Sequence, residues 1–243
     1  VEELENGDFP FKYIIKFDNE ISFWCARSWY SRHKKSIIFV PNFITQYLIQ
    51  SQTKLYDGIN FNDLKRMQFD IETDVDKIRA FPNSSVDKIN TITIRQDDFI
   101  KILIGNEKDI LTKFFQYIQE MNPDVLEGHN IINFDIPYIL KRCQVNNIYM
   151  DIAKESIPFY TYQDSLRTGE LTTKFIKYNF FGHIIVDTLH LIKHDDNIKR
   201  NYPNCGLKAA AKHLGVAEPN RIVLKDSEIF EEFKKRSQKY RDY

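Results

Sequence analysis

From Leu64 onward, short apolar runs alternate with segments whose apolar residues recur at helical spacing. That rhythm restricts the chain to a layered α/β architecture. Residues 67–71 and 88–94 read as strands. Residues 109–121 read as a helix with the stripe Ile110, Leu111, Phe114, Phe115 and Ile118. A brief strand is expected over 124–127, a helix over 135–143 and another strand over 182–186. Helices are expected from Thr188, over 206–214 and over 227–243. The expected fold class is therefore α/β: a mixed sheet flanked by helices. Residues 101–108 and 158–173 are expected to be mobile surface loops, on polarity and turn content.

Residues 1–66 read differently, as a small β-rich N-terminal domain ahead of the 67–243 domain. The runs 11–17, 21–26 and 36–40 are rich in β-branched and aromatic residues, and turn formers such as Asp18-Asn19 and Pro41-Asn42 separate them. Residues 43–51 fit a short amphipathic helix.

Bulk properties exclude several classes. The 34 basic and 34 acidic residues give a net charge of +0, which argues against a histone-like polyanion coat while leaving room for a local basic groove. Cys25, Cys143 and Cys205 are odd in number and lack CxxC spacing, so reduced thiols in a cytoplasmic-type compartment are expected. No apolar run has the length of a membrane span and no signal-peptide pattern opens the chain, so no membrane partner is expected. The sequence begins at Val1 and stops within a pattern at Tyr243, so a longer parent protein is expected.

The chemistry is concentrated in acids. In Phe69-Asp70-Ile71-Glu72-Thr73, side-chain alternation sends Phe69 and Ile71 to the core and Asp70 and Glu72 to the other face. The pair sits at the C-terminal end of its strand, where open α/β sheets bind ligands. Taken alone, it also suits an edge strand with two solvated acids. A third acid, Asp135, closes the segment Asn130-Ile-Ile-Asn-Phe134-Asp135 at the start of a helix, with Pro137 tolerated in the first turn. The helix dipole would favour the ionised form that a metal ligand needs, although Asp135 is equally a good helix-start residue. Carboxylates of this kind hold hard cations such as Mg2+ or Mn2+, and two ions about 3.5–4 Å apart clamp an in-line phosphoryl displacement.

Together these segments resemble the first and second exonuclease motifs of family B DNA polymerases, in the DEDD superfamily of 3′–5′ exonucleases on an RNase H-like fold. Residues 69–73 are similar to the D-x-E motif, and Asn130 through Asp135 followed by Pro137-Tyr138 to N-x-x-x-F-D with its P-Y. Val186-Asp187-Thr188-Leu189 and the stretch from Cys205 to Gly215 continue the resemblance in order. The third motif, Y-x-x-x-D, is incomplete: Tyr243 stands where its tyrosine would be, and the aspartate would fall four residues later. Tyr243 is equally a helix-terminal aromatic.

The resemblance implies a two-metal 3′–5′ exonuclease of proofreading type. It would act on the 3′ end of single-stranded DNA, with a polymerase domain in the same longer chain. It assigns Asp70, Glu72 and Asp135 to metal binding and catalysis, and Tyr243 to orienting the attacking water. Ile71, Thr73, Asn130 and Phe134 are assigned to the substrate strand. A free-standing repair exonuclease, or an inactive single-strand-binding or structural module, also accommodates these residues. His190 and His194 share a helix at zinc-compatible spacing but lack a third ligand, and a solvated face is expected there. His129 is expected to be a loop histidine, with a phosphate contact as the alternative. Asp187 is expected to cap the helix that begins at Thr188, with a place behind the metal ligands as the alternative. Lys234, Lys235 and Arg236 are expected on a solvated face.

Overall fold

The computed structural model describes residues 2–3, 13–33, 42–74, 81–149, 152, 158–217, 232 and 235. Two compact units divide at Ile59, the second starting at Asn60.

In the first unit, β1 (Glu2–Glu3) pairs antiparallel with β2 (Tyr13–Ile14), and α1 (Glu20–His33) and α2 (Phe43–Ser51) follow. Among the described residues of this unit helix outweighs strand, and residues 21–26, read as a β-type run, are helical instead. Asn19, read as a turn former, accepts the Ser22 N–H at 2.9 Å and opens α1 as its cap. The Trp24 indole donates to Glu20 at 2.9 Å, and Arg27 lies 5.0 Å from the Trp24 ring centroid. Pairs at helical spacing outweigh the β preference of the aromatic residues. Residues 36–40 lie outside the described residues.

The second unit is built on a five-stranded mixed sheet. Its strands are β3 (Arg66–Thr73), β4 (Ile89–Gln96), β5 (Phe99–Ile104), β6 (Val125–Gly128) and β9 (Ile184–Asp187), in the order β5-β4-β3-β6-β9. The first three form an antiparallel meander, whereas β6 runs parallel to β3, and β9 parallel to β6. The carboxyl ends of β3, β6 and β9 therefore share one edge of the sheet, where Glu72, Gly128 and Asp187 are found. Residues 101–108 are not a loop: they complete β5 and begin α3 (Glu107–Met121). Residues 158–173 are not a loop either. Most of them belong to β7 (Tyr160–Thr168) and β8 (Leu171–Asn179), an antiparallel hairpin turning at Gly169 with φ +64°. The hairpin strands are largely exposed, so the apolar alternation that marks a half-buried strand is missing from their sequence.

Helices α3 (Glu107–Met121), α4 (Asp135–Asn146), α5 (Thr188–Lys199) and α6 (Leu207–His213) complete the unit. Asn106 caps α3 through the Lys108 N–H at 3.0 Å, and Asn122 ends it in the left-handed conformation. The α3 stripe of Ile110, Leu111, Phe114 and Ile118 meets Met67, Phe69 and Ile71 of β3 and Ile136 and Ile139 of α4 in one core. The three cysteines are free thiols. Among the described residues, no helix is long and apolar enough to cross a membrane. Residues 227–243, expected to be helical, fall almost entirely outside the described set.

Candidate active site

Strand β3 follows the expected alternation. Phe69 and Ile71 are buried, Asp70 is exposed and Glu72 is half-buried. The β3–β4 register slips between Glu72 and Thr73, a bulge of the kind that re-aims side chains at strand ends. Thr73 is half-buried and its side chain hydrogen-bonds Tyr138 of α4. Burial, then the nearby Asp87 charge, pushes the Tyr138 phenol up to about 12. It therefore keeps its proton and donates to the Asp87 carbonyl at 3.0 Å.

Strand β6 leads into the second acidic segment through Gly128. A Cβ there would meet Ile131 Cγ2 at 2.3 Å and the Phe69 carbonyl at 2.8 Å, so glycine lets this turn lie against the backbone just before Asp70. Asn130 adopts φ +67°, its carbonyl accepts the Asn133 and Phe134 N–H groups, and the turn passes into α4. Phe134 is half-buried, its ring centroid 5.5 Å from that of Tyr138.

Asp135 is 2% exposed, and its Oδ1 accepts the Ile71 N–H at 3.2 Å. Burial, then the Asp70 charge, pushes its carboxyl up to about 8, against hydrogen bonds from the backbone. Burial thus opposes the preference for the ionised form expected from the helix start. A helix dipole contributes roughly 0.3–1 kcal/mol, too little to offset desolvation beside a second acid. The chain thus brings Asp135 beside Asp70. Ile71 offers the site its N–H, because its side chain belongs to the core.

An acid this buried, facing another acid, ionises at neutral pH when a cation shares the site. Mg2+ is commonly bound by one or two carboxylates with water and substrate phosphate completing its shell. The hard-oxygen pair Asp70 and Asp135 fits such an ion. Among the described residues, no group of three or more His, Cys, Asp or Glu side chains is gathered closely enough to hold a metal by itself. Tyr243 lies outside the described residues.

Part of the chain is similar to known proteins. Residues 96–209 match the family model for the DNA polymerase family B exonuclease domain. The matched stretch, just under half of the chain, is similar to that exonuclease domain. The match takes in Asn130, Phe134, Asp135 and Asp187, while Asp70 and Glu72 precede it. The chain is 28% identical over 156 residues to a DNA polymerase of Archaeoglobus fulgidus, covering 63% of this chain and 19% of that protein. It is 33% identical over 100 residues to the DNA polymerase delta catalytic subunit of Caenorhabditis elegans, covering 39% and 9% respectively. The fold is similar to that of the family B DNA polymerase from Pyrobaculum calidifontis, with TM-score 0.55 and 18% identity over 73% of this chain and 22% of that one. The chain thus spans about a fifth or less of the relatives it matches.

Two features of the second unit go beyond what was read from the sequence. Asp187 caps α5 as expected, accepting the Leu189 N–H at 2.9 Å, but it also accepts the N–H groups of Asn130 and Ile132. Glu107 and Arg142 form a buried two-pronged ion pair, 2.7 Å at each prong, with Glu107 also accepting from Asn146 and the Ile89 N–H. The available signal was a charged residue, Arg142, continuing the apolar α4 face of Ile136, Ile139 and Cys143. His129 contacts Thr188 at 3.1 Å, and burial holds its ring below the ordinary value. His190 packs its ring 4.6 Å from Phe175, and His194 is exposed.

Proposed function

We propose that this exonuclease domain is a 3′–5′ exodeoxyribonuclease. In this reading it hydrolyses the terminal phosphodiester of single-stranded DNA with Mg2+ or Mn2+, within a longer family B polymerase that it proofreads. The observation that carries the reading is the docking of Asp135 on the Ile71 N–H beside Asp70. This brings the acids of two distant segments to the carboxyl edge of the sheet, inside a chain matched to this domain.

Asp70, Glu72 and Asp135 would hold the cations, which when bound would lower the pKa of water and stabilise the departing 3′ oxygen. Asn130 hydrogen-bonds the strand, and Phe134 stacks or wedges against a base. Such stacking is worth about 1–3 kcal/mol per base and ignores sequence, as a proofreader requires. Thr73 and the Ile71 backbone flank the terminal nucleotide, and Tyr243 orients the attacking water. Water oxygen bonds to phosphorus as the bond to the 3′ oxygen breaks, releasing a nucleoside 5′-monophosphate and a new 3′ hydroxyl.

The test is shortening of a 5′-labelled single strand by the full polymerase chain that carries this domain. Ladders growing from the 3′ end with Mg2+ or Mn2+, abolished by Asp70→Ala at unchanged melting temperature, are expected. Tight single-strand binding with no shortening under either metal would instead make the domain a binding module.

A further inference from the structure

The turn 130–134 delivers three residues of the proposed site, yet its own hydrogen bonds do not hold the N–H groups of Asn130 and Ile132. Both go to one buried side chain. Asp187, 4% exposed, accepts the Asn130 N–H on Oδ1 at 2.8 Å and the Ile132 N–H on Oδ2 at 3.1 Å. The same Oδ1 accepts the Leu189 N–H at 2.9 Å. The neighbouring Thr188 hydroxyl donates to the Gly128 carbonyl at 3.1 Å, so the start of α5 grips the turn at three backbone points.

This exceeds what a helix cap requires. A single serine or threonine oxygen caps a helix about as well as aspartate does. Only a carboxylate offers two charged oxygens that accept from two directions at once. The turn also contains Asn130 at φ +67°, a conformation few non-glycine residues adopt, and its N–H is one of the two that Asp187 holds.

We propose that Asp187 is a positioning residue for hydrolysis: its two-oxygen grip on Asn130 and Ile132 sets the turn that presents Asn130, Phe134 and Asp135. The proposal rests on the nuclease reading above.

Asp187→Ser in the full chain keeps an oxygen for the Leu189 N–H but does not span the turn, and Asp187→Asn keeps one of the two acceptors. In Asp187→Ser, amide exchange at Asn130 and Ile132 is expected to quicken at least tenfold while Leu189 and the β3 and β4 amides stay protected. With Mg2+ and saturating single strand, kcat is expected to fall about 10–100-fold, the range seen when supporting residues of metal sites are lost, with a smaller change in KM. Asp187→Asn should fall between. Unchanged exchange at Asn130 and Ile132, unchanged kcat, or a loss of protection spread evenly over β3, β4 and α3 would each overturn it. A wild-type chain that shortens no strand defeats the nuclease reading, whereas the exchange measurement still decides whether Asp187 holds the turn.

Discussion

Asp135 Oδ1 accepts the backbone N–H of Ile71 at 3.2 Å, joining the first turn of α4 to the strand that carries Asp70 and Glu72. The bond spans 64 residues of sequence and is buried. It makes the placement of one proposed metal ligand depend on the backbone between the other two. Three further contacts fix α4 against the segment before β4 and against α3: Tyr138 to Asp87, Arg142 to the Ser84 carbonyl and Arg142 to Glu107.

Asp135→Asn keeps an acceptor for Ile71 and removes a buried acid from beside Asp70. The variant is expected to fold with a melting temperature no lower than the parent without metal. Raising Mg2+ or Mn2+ should raise the parent's melting temperature through binding to the folded state, and raise the variant's far less. Hydrolysis should be lost. Thermal scans across a metal titration check all but the last, which the strand-shortening assay reads.

Gly128→Ala places a methyl group against the Phe69 carbonyl, where backbone has to move. A loss of about 1–3 kcal/mol is expected, as for overpacked interiors. Because the displaced carbonyl adjoins Asp70, hydrolysis should fall further than the stability loss explains. Urea unfolding alongside single-turnover rates separates the two effects.

The Glu107–Arg142 pair predicts an acid-sensitive fold. Burial alone would raise the Glu107 carboxyl, but Arg142, Asn146 and the Ile89 N–H together hold it below the ordinary carboxylate range. A lowered native pKa contributes stability that is complete above the unfolded value, near pH 4.5, and is lost as pH falls through the native value. Glu107→Gln should flatten this acid limb. At pH 7 it should cost about 3–5 kcal/mol by leaving Arg142 buried without its partner. Denaturant midpoints measured from pH 3 to pH 7 provide the check.

Tyr138→Phe removes the hydroxyl that binds the Asp87 carbonyl and Thr73. A stability loss of about 1–3 kcal/mol is expected from the unsatisfied buried carbonyl. Freed from Tyr138, the Glu72–Thr73 bulge should show faster amide exchange at Thr73 than in the parent. Native-state hydrogen exchange reads this directly.

Much of the second unit was legible in the sequence because its signals are local. The β3 alternation, the α3 stripe and the Asp187 cap each depend on residues within a few positions of one another. The misread segments fail for equally local reasons. Residues 21–26 look like a strand by composition, yet Asn19, Glu20 and Arg27 supply helical pairs that composition ignores. Strands β7 and β8 carry mostly exposed side chains, so no buried face left its period in the sequence.

The sequence by itself determined which acids are available and that Asp70 and Glu72 leave the core-facing side of one strand, since period-two alternation is a property of the chain alone. Only the tertiary structure decided the environment of Asp135. Its burial, its bond to Ile71 and its charge conflict with Asp70 arise where β3 and α4 meet. The second role of Asp187 was decided there as well. A helix cap is written within three residues, whereas the grip on Asn130 and Ile132 requires β6 and β9 to lie side by side, with Gly128 opposite Asp187.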